Sequence, residues 1–214
     1  DHSWSWTGGR PMERFDPEVQ DALVELVRPR GKLLDIGSNI GVMSLAVLLR
    51  VPSSRVAAFD PNQRALALLE KSLRRNRLLD RATLHAVALS AGGPTVPFDA
   101  RGSFTGHVTS GEPDTPAIAF PSLIAEHAHG PVAIKVDVEG YETRLADTIA
   151  DTPVPAGSAA LIELHPAGFN DLGDPQHVMR RLRASGRLTC RLLGTAATTC
   201  DPSNFHQLLV EWPA

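Results

Sequence analysis

The sequence predicts an α/β fold: a mostly parallel sheet covered on both faces, with an antiparallel hairpin at its C-terminal end. Three observations predict it. Short apolar runs alternate with longer segments of helical period. The first of those runs leads through a glycine-containing loop straight into a helix. The last two runs lie too close together for a crossover helix, so they must pair antiparallel.

Residues 1–15, with Trp4, Trp6, Gly8 and Gly9, show no period and read as an arm. Asp16-Pro17 opens the first helix, Asp at the cap and Pro at the first helical position, and Val19, Ala22, Leu23, Leu26 and Val27 form its stripe. Strands follow at 32–36, 55–59 and 83–87, separated by helices at 40–49 and 63–79. The stretch 90–120 is rich in Gly and Pro, and 96–98 and 117–120 are expected to pair there as short strands. A helix over 121–129, a strand over 132–137, a helix over 142–150 and a strand over 159–164 come next. Asp174-Pro175 opens a last helix that Gly186 ends, and strands at 188–193 and 205–210 finish a seven-stranded sheet. The chain reads as one domain, 1–214, with an N-terminal arm and helix (1–30) and an insertion on the substrate side (90–120).

Composition narrows the partners. Lys and Arg number 21 against 24 Asp and Glu, a formal net charge of −3, and Arg74, Arg75 and Arg77 make only a short cluster on a solvated helix face. Neither nucleic acid nor an anionic membrane is expected as a partner. No run approaches the roughly 18 apolar residues of a membrane span. Cys190 and Cys200 read as reduced structural thiols, and a cytoplasmic location is expected.

The sharpest motif is Leu34-Asp35-Ile36-Gly37-Ser38-Asn39-Ile40-Gly41, between the first strand and its helix. In a doubly wound sheet, ligands sit at the carboxyl ends of the strands. Glycine there lets the backbone approach a cofactor without a Cβ in the way. A dinucleotide fingerprint needs a further glycine in the middle of the loop, which is absent, and Asp35 suits a cation better than a diphosphate. S-Adenosylmethionine, with an ammonium, a sulfonium and no phosphate, fits better than NAD. The same loop also fits a bare βα turn.

Asp60, 19 residues past Gly41, closes the second strand where a carboxylate can accept both ribose hydroxyls. Alternatively Asp60-Pro61-Asn62 only caps the next helix. Asp35, Gly37, Ser38, Asn39, Gly41, Asp60, Asp137 and Val87, at the end of the third strand, are the expected cofactor contacts.

Lys135, Asp137 and Glu139 share one phase of the fourth strand, and Leu161, Glu163 and His165 one phase of the fifth. Charges on a central parallel strand must be paired or face a polar pocket. If the strands are neighbours, Asp137, Glu139, Glu163 and His165 converge at the cofactor's reactive end. Methyl transfer to oxygen needs acceptor, methyl and sulfur in line, with a base for the acceptor's proton. His165 has the fitting ordinary pKa, with Asp137 the competitor and Glu139 beside them. An ion-pair network centred on Lys135 is the structural alternative. His107 reads as surface, and His127 and His129 flank a helix end, where imidazolium suits the dipole. No zinc-ligand spacing occurs and no metal is expected; an Mg²⁺ ion on Asp137 and Glu139 is the minority reading.

These residues resemble the FkbM family of methyltransferases over about 32–165. The resemblance rests on the first-strand motif, on Phe59-Asp60-Pro61-Asn62, on Asn76, on Ile134 through Glu142, and on Ile162-Glu163-Leu164-His165. Asp at 60 and Ser at 38 depart from the more usual Glu and Ala. The resemblance implies a Rossmann-like class I methyltransferase fold, S-adenosylmethionine as cofactor, and O-methylation of a sugar or natural-product hydroxyl in secondary metabolism, antibiotic biosynthesis included. The partner is then a hydroxylated small molecule, and a homodimer is the candidate assembly. N-methylation of an amino sugar or other small amine is the runner-up, and a non-catalytic binding module the reading from another class.

Overall fold

The computed structural model describes residues 15–99, 107–108, 114–167, 174–195 and 199–213. The tryptophans and glycines of the arm lie outside them, as does part of the 90–120 stretch.

The helices are α1 (Pro17–Val27), α2 (Val42–Arg50), α3 (Gln63–Arg75), α4 (Phe120–His127), α5 (Glu142–Asp151) and α6 (Pro175–Ala184). The main strands are β1 (Lys32–Ile36), β2 (Arg55–Phe59) and β3 (Ala82–His85). Short strands follow as β4 (Ala88–Ser90), β5 (Thr95–Val96), β6 (Phe98–Asp99), β7 (His107–Val108) and β8 (Thr115–Ala119). The chain ends with β9 (Ala133–Val136), β10 (Ala159–Leu164), β11 (Thr189–Leu192) and β12 (His206–Glu211).

Seven strands form the central sheet in the order β11-β12-β10-β9-β1-β2-β3. β1 pairs in parallel with β2 and β9, β10 with β9, and β3 with β2. β12 runs antiparallel to both β10 and β11, so the C-terminal hairpin closes one edge as expected. The order reverses between β1 and β9, and ligands bind beyond the strand ends at such a switch point.

Successive residues of a strand face opposite sides, and each side carries its own core. Leu33, Val56, Ala133 and Leu161 pack under α1, α2 and α3. Leu34, Ile36, Ile134, Val136 and Ile162 pack under α4, α5 and α6. Among the described residues, no helix is long and apolar enough to cross a membrane.

The structure differs from the sequence expectations at several ends. Asp16 stands at the start of α1, but at φ 43° and without a side-chain cap bond. The second helix starts at Val42 rather than 40 because Gly41 turns the chain at φ 85°. The third stops at Arg75, since Asn76 closes it and Arg77 turns left-handed at φ 59°; Leu79–Arg81 is a separate 3₁₀ turn. β3 ends at His85, and the chain then leaves the sheet to pair β4 in parallel with β8. β8 pairs through Thr115 and Pro116 with β5, and β6 pairs with β7 instead. The fourth strand ends at Val136, one residue short of Asp137.

Candidate active site

At the carboxyl ends of β1 and β2 the chain builds a cradle from backbone donors. The N–H groups of Gly37 and Ser38 both donate to the Phe59 carbonyl, at 2.9 and 3.1 Å. One residue on, the Asp60 carboxylate accepts the Asn39 N–H on Oδ2 (2.7 Å) and the Asn62 N–H on Oδ1 (2.8 Å). A carboxylate has about four acceptor sites, so two remain for a ligand. The helix cap itself is Asn62, whose Oδ1 accepts from Arg64 and Ala65, so Asp60 is not the residue that caps α3. Burial pushes the Asp60 carboxyl up to about 6, against the opposing pull of the Asn62 and Asn39 N–H groups and the Lys135 charge.

Both glycines have a packing role, and Gly37 is also part of a cavity wall. Gly37 sits at φ 72°, and a Cβ there would lie 1.7 Å from the Asp137 carbonyl oxygen. At Gly41 a Cβ would fall 2.1 Å from Leu69 Cδ1 of α3. The missing side chains let the loop seat on β9 and on α3. Between them, Ser38 Oγ is buried without a hydrogen-bond partner and belongs to the wall of a cavity of about 280 Å³.

Asp35, expected to touch the cofactor, does not line that cavity. It is wholly buried, accepts the Ser44 hydroxyl at 2.5 Å and lies 3.6 Å from Lys135 Nζ. It holds the floor of the cradle together from below. Sequence reading missed Ser44, the one hydroxyl on an otherwise apolar buried run of α2.

Lys135 ties the floor to the next strand. Its ammonium donates to the Gly37 carbonyl (3.0 Å) and to Asp137 Oδ2 (3.1 Å). Burial alone would lower its pKa, but the charges of Asp137, Asp35 and Glu163 outweigh that and raise it. The ion-pair network centred on Lys135 is therefore present, and its outer members face the cavity.

Beyond it, four carboxylates surround His165, whose side chain is 2% exposed. The Glu142 Oε1 accepts both the His165 backbone N–H (2.7 Å) and the ring at Nδ1 (3.1 Å). Nε2 lies 3.6 Å from Glu139 Oε2, and 3.9 Å from both Asp137 Oδ1 and Glu163 Oε1. β9 and β10 are neighbours, so the expected convergence of Asp137, Glu139, Glu163 and His165 occurs. Glu139, however, reaches it from a turn at φ 52° and not from the strand phase. Glu142 was not foreseen, although it stands in the buried stripe of α5 with Leu145, Ala146 and Ile149.

This setting changes the expected role of His165. Burial would lower its pKa, but hydrogen bonds to Glu139 and Glu142 and the charges of Glu142 and Asp137 raise it to about 10. That direction favours the imidazolium over the free base. Glu163 is pushed up to about 7 by burial and by Asp137, against Lys135, His165 and the Gln207 amide that donates to it at 2.6 Å. His127 stands in the last turn of α4, as expected. Its ring packs edge-on against Phe59 and His85, and burial and Lys32 lower its pKa, which disfavours the imidazolium.

The cavity runs from the cradle to this cluster. Ser38, Asn39, Asp60 and Val87 line one part, and Asp137, Glu139, Glu163 and His165 another. Phe15, Asp16 and Val19 close a side, and Phe98 from the 90–120 stretch contributes to the wall. Phe205, 54% exposed, stands edge-on to the His165 ring at 5.3 Å. Cys190 and Cys200 are free thiols.

Residues 13–99 match the family model of the methyltransferase small domain. No curated protein is significantly similar to the chain in sequence. Solved structures are similar in fold. The O-methyltransferase TomG from Streptomyces achromogenes, involved in tomaymycin synthesis and solved with S-adenosylmethionine, is 14% identical at TM-score 0.53, covering 92% of this chain and 80% of that one. An O-methyltransferase from Bacillus cereus, solved with S-adenosylhomocysteine, is 14% identical at TM-score 0.54, covering 94% and 82%. An rRNA methylase from Streptococcus thermophilus is 13% identical at TM-score 0.53, covering 92% and 95%. The chain has the Rossmann-like fold of S-adenosylmethionine-dependent methyltransferases, and its N-terminal half carries the match to the methyltransferase small domain.

Proposed function

We propose that this chain is an S-adenosylmethionine-dependent methyltransferase that methylates a hydroxyl of a small molecule, a sugar or natural product of secondary metabolism, in the manner the FkbM resemblance implies. The observation that carries the reading is the Asp60 carboxylate, turned to the cavity wall under the Gly37–Gly41 loop with acceptor capacity left for a ribose diol. Asn39, Ser38 and Val87 would flank the nucleoside beside Gly37, with Gly41 and Asp35 shaping the cradle from behind. When bound, S-adenosylmethionine supplies an electrophilic methyl group on a sulfonium. The polar cluster then lies where an acceptor would be held, with His165 and Asp137 orienting its hydroxyl and a carboxylate such as Glu139 receiving its proton.

TomG, an O-methyltransferase of tomaymycin synthesis, supports an acceptor from secondary metabolism. The free thiols accord with a cytoplasmic location. An RNA acceptor is the second reading, favoured by the rRNA methylase of similar fold. Against it stand a net charge of −3 and an acceptor end ringed by carboxylates, which repel phosphate.

Transfer of labelled methyl from S-adenosylmethionine to panels of hydroxylated small molecules, amines and ribosomal RNA separates the readings. Label on a hydroxylated compound, with His165→Asn losing turnover far more than cofactor affinity, is the expected result. Label on RNA or on amines alone contradicts it.

A further inference from the structure

The side chains that meet at the ends of β9 and β10 have the composition and spacing of a metal site. Asp137, Glu163 and His165 each bring one ligand atom into a group that lies within 4.8 Å of one another. Nε2 of His165 is 3.9 Å from both Asp137 Oδ1 and Glu163 Oε1. These 3.9 Å separations are too long for hydrogen bonds, yet an ion with bonds of about 2.0–2.2 Å reaches atoms up to about 4.4 Å apart and can bridge both pairs.

Two independent features set this group apart from a chance gathering of acids. The first is the outer partner of the histidine. Glu142 holds Nδ1 at 3.1 Å from the far side, which fixes the ring so that Nε2 faces the two carboxylates. A carboxylate behind a histidine is the usual outer shell of a metal ligand, where it sets the tautomer and raises the ring's basicity. Glu142 is wholly buried and its Oε2 has no hydrogen-bond partner, so the chain maintains a costly buried carboxylate there. The second is the charge. Asp35, Asp137, Glu139, Glu142 and Glu163 crowd around Lys135 and the His165 ring, and Lys135 is already engaged by Asp35 and Asp137. A divalent cation at Nε2 takes the place of a ring proton and brings one more positive charge than that proton to these carboxylates.

We infer that Asp137, Glu163 and His165 bind a first-row divalent cation of the Mn²⁺ type at the acceptor end of the cavity. One imidazole and two carboxylates suit Mn²⁺, Fe²⁺ or Zn²⁺ better than Ca²⁺. All three residues line the cavity, so the ion's remaining positions face the space an acceptor would fill. The inference departs from the sequence expectation of no metal, and it puts Glu163 and His165 where the minority reading had Glu139. The ion's use rests on the methyl-transfer reading. When bound, the ion would supply Lewis-acid activation of an acceptor hydroxyl; Glu139 would take the hydroxyl proton as the oxygen takes the methyl carbon and the sulfonium is left as a thioether.

The test uses the full chain stripped with a chelator and titrated with Mn²⁺ alone, free Mn²⁺ being read by its electron paramagnetic resonance signal. One ion per chain should bind, and Glu163→Gln, Asp137→Asn and His165→Asn should each weaken it at least tenfold, while the surface variant Glu70→Gln should not. Circular dichroism reports whether each variant is folded; Glu163→Gln keeps the side chain's volume and carries the test if His165→Asn does not fold. Absence of saturable Mn²⁺ or Zn²⁺ binding overturns the inference, as does binding that Glu163→Gln and Asp137→Asn leave unchanged. Binding of S-adenosylhomocysteine is measured separately. An ion bound without it upholds the metal site and removes the methyl-transfer reading; the cofactor bound without an ion does the reverse.

Discussion

Gly37 and Asp137 are in direct backbone contact across two parallel strands: a Cβ on the glycine would stand 1.7 Å from the aspartate's carbonyl oxygen. The loop after β1 and the end of β9 are thus fitted to each other, and one contact couples the proposed cofactor cradle to the polar cluster.

Gly37→Ala should therefore do more than a surface glycine change. The position combines φ 72° with a backbone clash that no side-chain rotation relieves. Left-handed strain and overpacking together should cost roughly 2–5 kcal/mol. Urea unfolding measures it; a variant with the wild-type midpoint would mean that the loop is free to shift.

Asp60→Ala should lose both cofactor affinity and stability. The side chain anchors the Asn39 and Asn62 N–H groups in a buried setting, so its removal should cost about 1–3 kcal/mol. Affinity for S-adenosylhomocysteine should drop at least tenfold, by calorimetric titration; unchanged affinity would sink the ribose role.

The same carboxylate sets a pH dependence. Its pKa in the folded chain, about 6, lies above the ordinary 3.8, so on its own it favours the fold below pH 4 and loses that contribution as pH rises through 6. Ligand binding should run the other way, because a ribose diol needs the ionised acceptor. Affinity for S-adenosylhomocysteine should be level above pH 7 and fall by up to tenfold per unit below about 6. A flat profile from pH 8 to 5 would remove Asp60 from the contact.

Glu142→Ala should be among the most damaging single changes. It leaves the buried His165 ring and its backbone N–H without their partner, a loss of about 3–5 kcal/mol. Glu142→Gln keeps one acceptor and should lose much less. Thermal unfolding of the two variants measures the difference; equal midpoints would show that the charge and the hydrogen bonds are not what this carboxylate supplies.

How far the chain could be read from its sequence depended on where each signal resides. β10 was placed to the residue, since Ala159 to Leu164 form a run buried at every position but Glu163 and bounded on both sides. The third helix was overrun because Leu78 and Leu79 continue its apolar period, although Asn76 and Arg77 have already turned the chain. Asp60, His165 and Asp137, all three in the cavity wall, stood out because a carboxylate or imidazole at a strand tip breaks an apolar pattern. Asp35 breaks the same pattern, but Ser44 and Lys135 claim it from below, and no local rule reports that. Glu142 escaped because its partner is 23 residues away, even though an acid in the apolar stripe of α5 was a visible anomaly. The upward pull on the His165 pKa was illegible for the same reason, coming from Glu139, Glu142 and Asp137 at separate places in the chain.

The claim that this chain takes S-adenosylmethionine is tested most directly by thermal unfolding with and without S-adenosylhomocysteine. At about 100 times the dissociation constant, binding should add ~2.7 kcal/mol, a rise of roughly 5–10 °C for a chain of this size. A rise of that order, absent with NAD and reduced in Asp60→Ala, is the predicted result. No rise at any concentration up to millimolar, with or without Mn²⁺, would contradict the account.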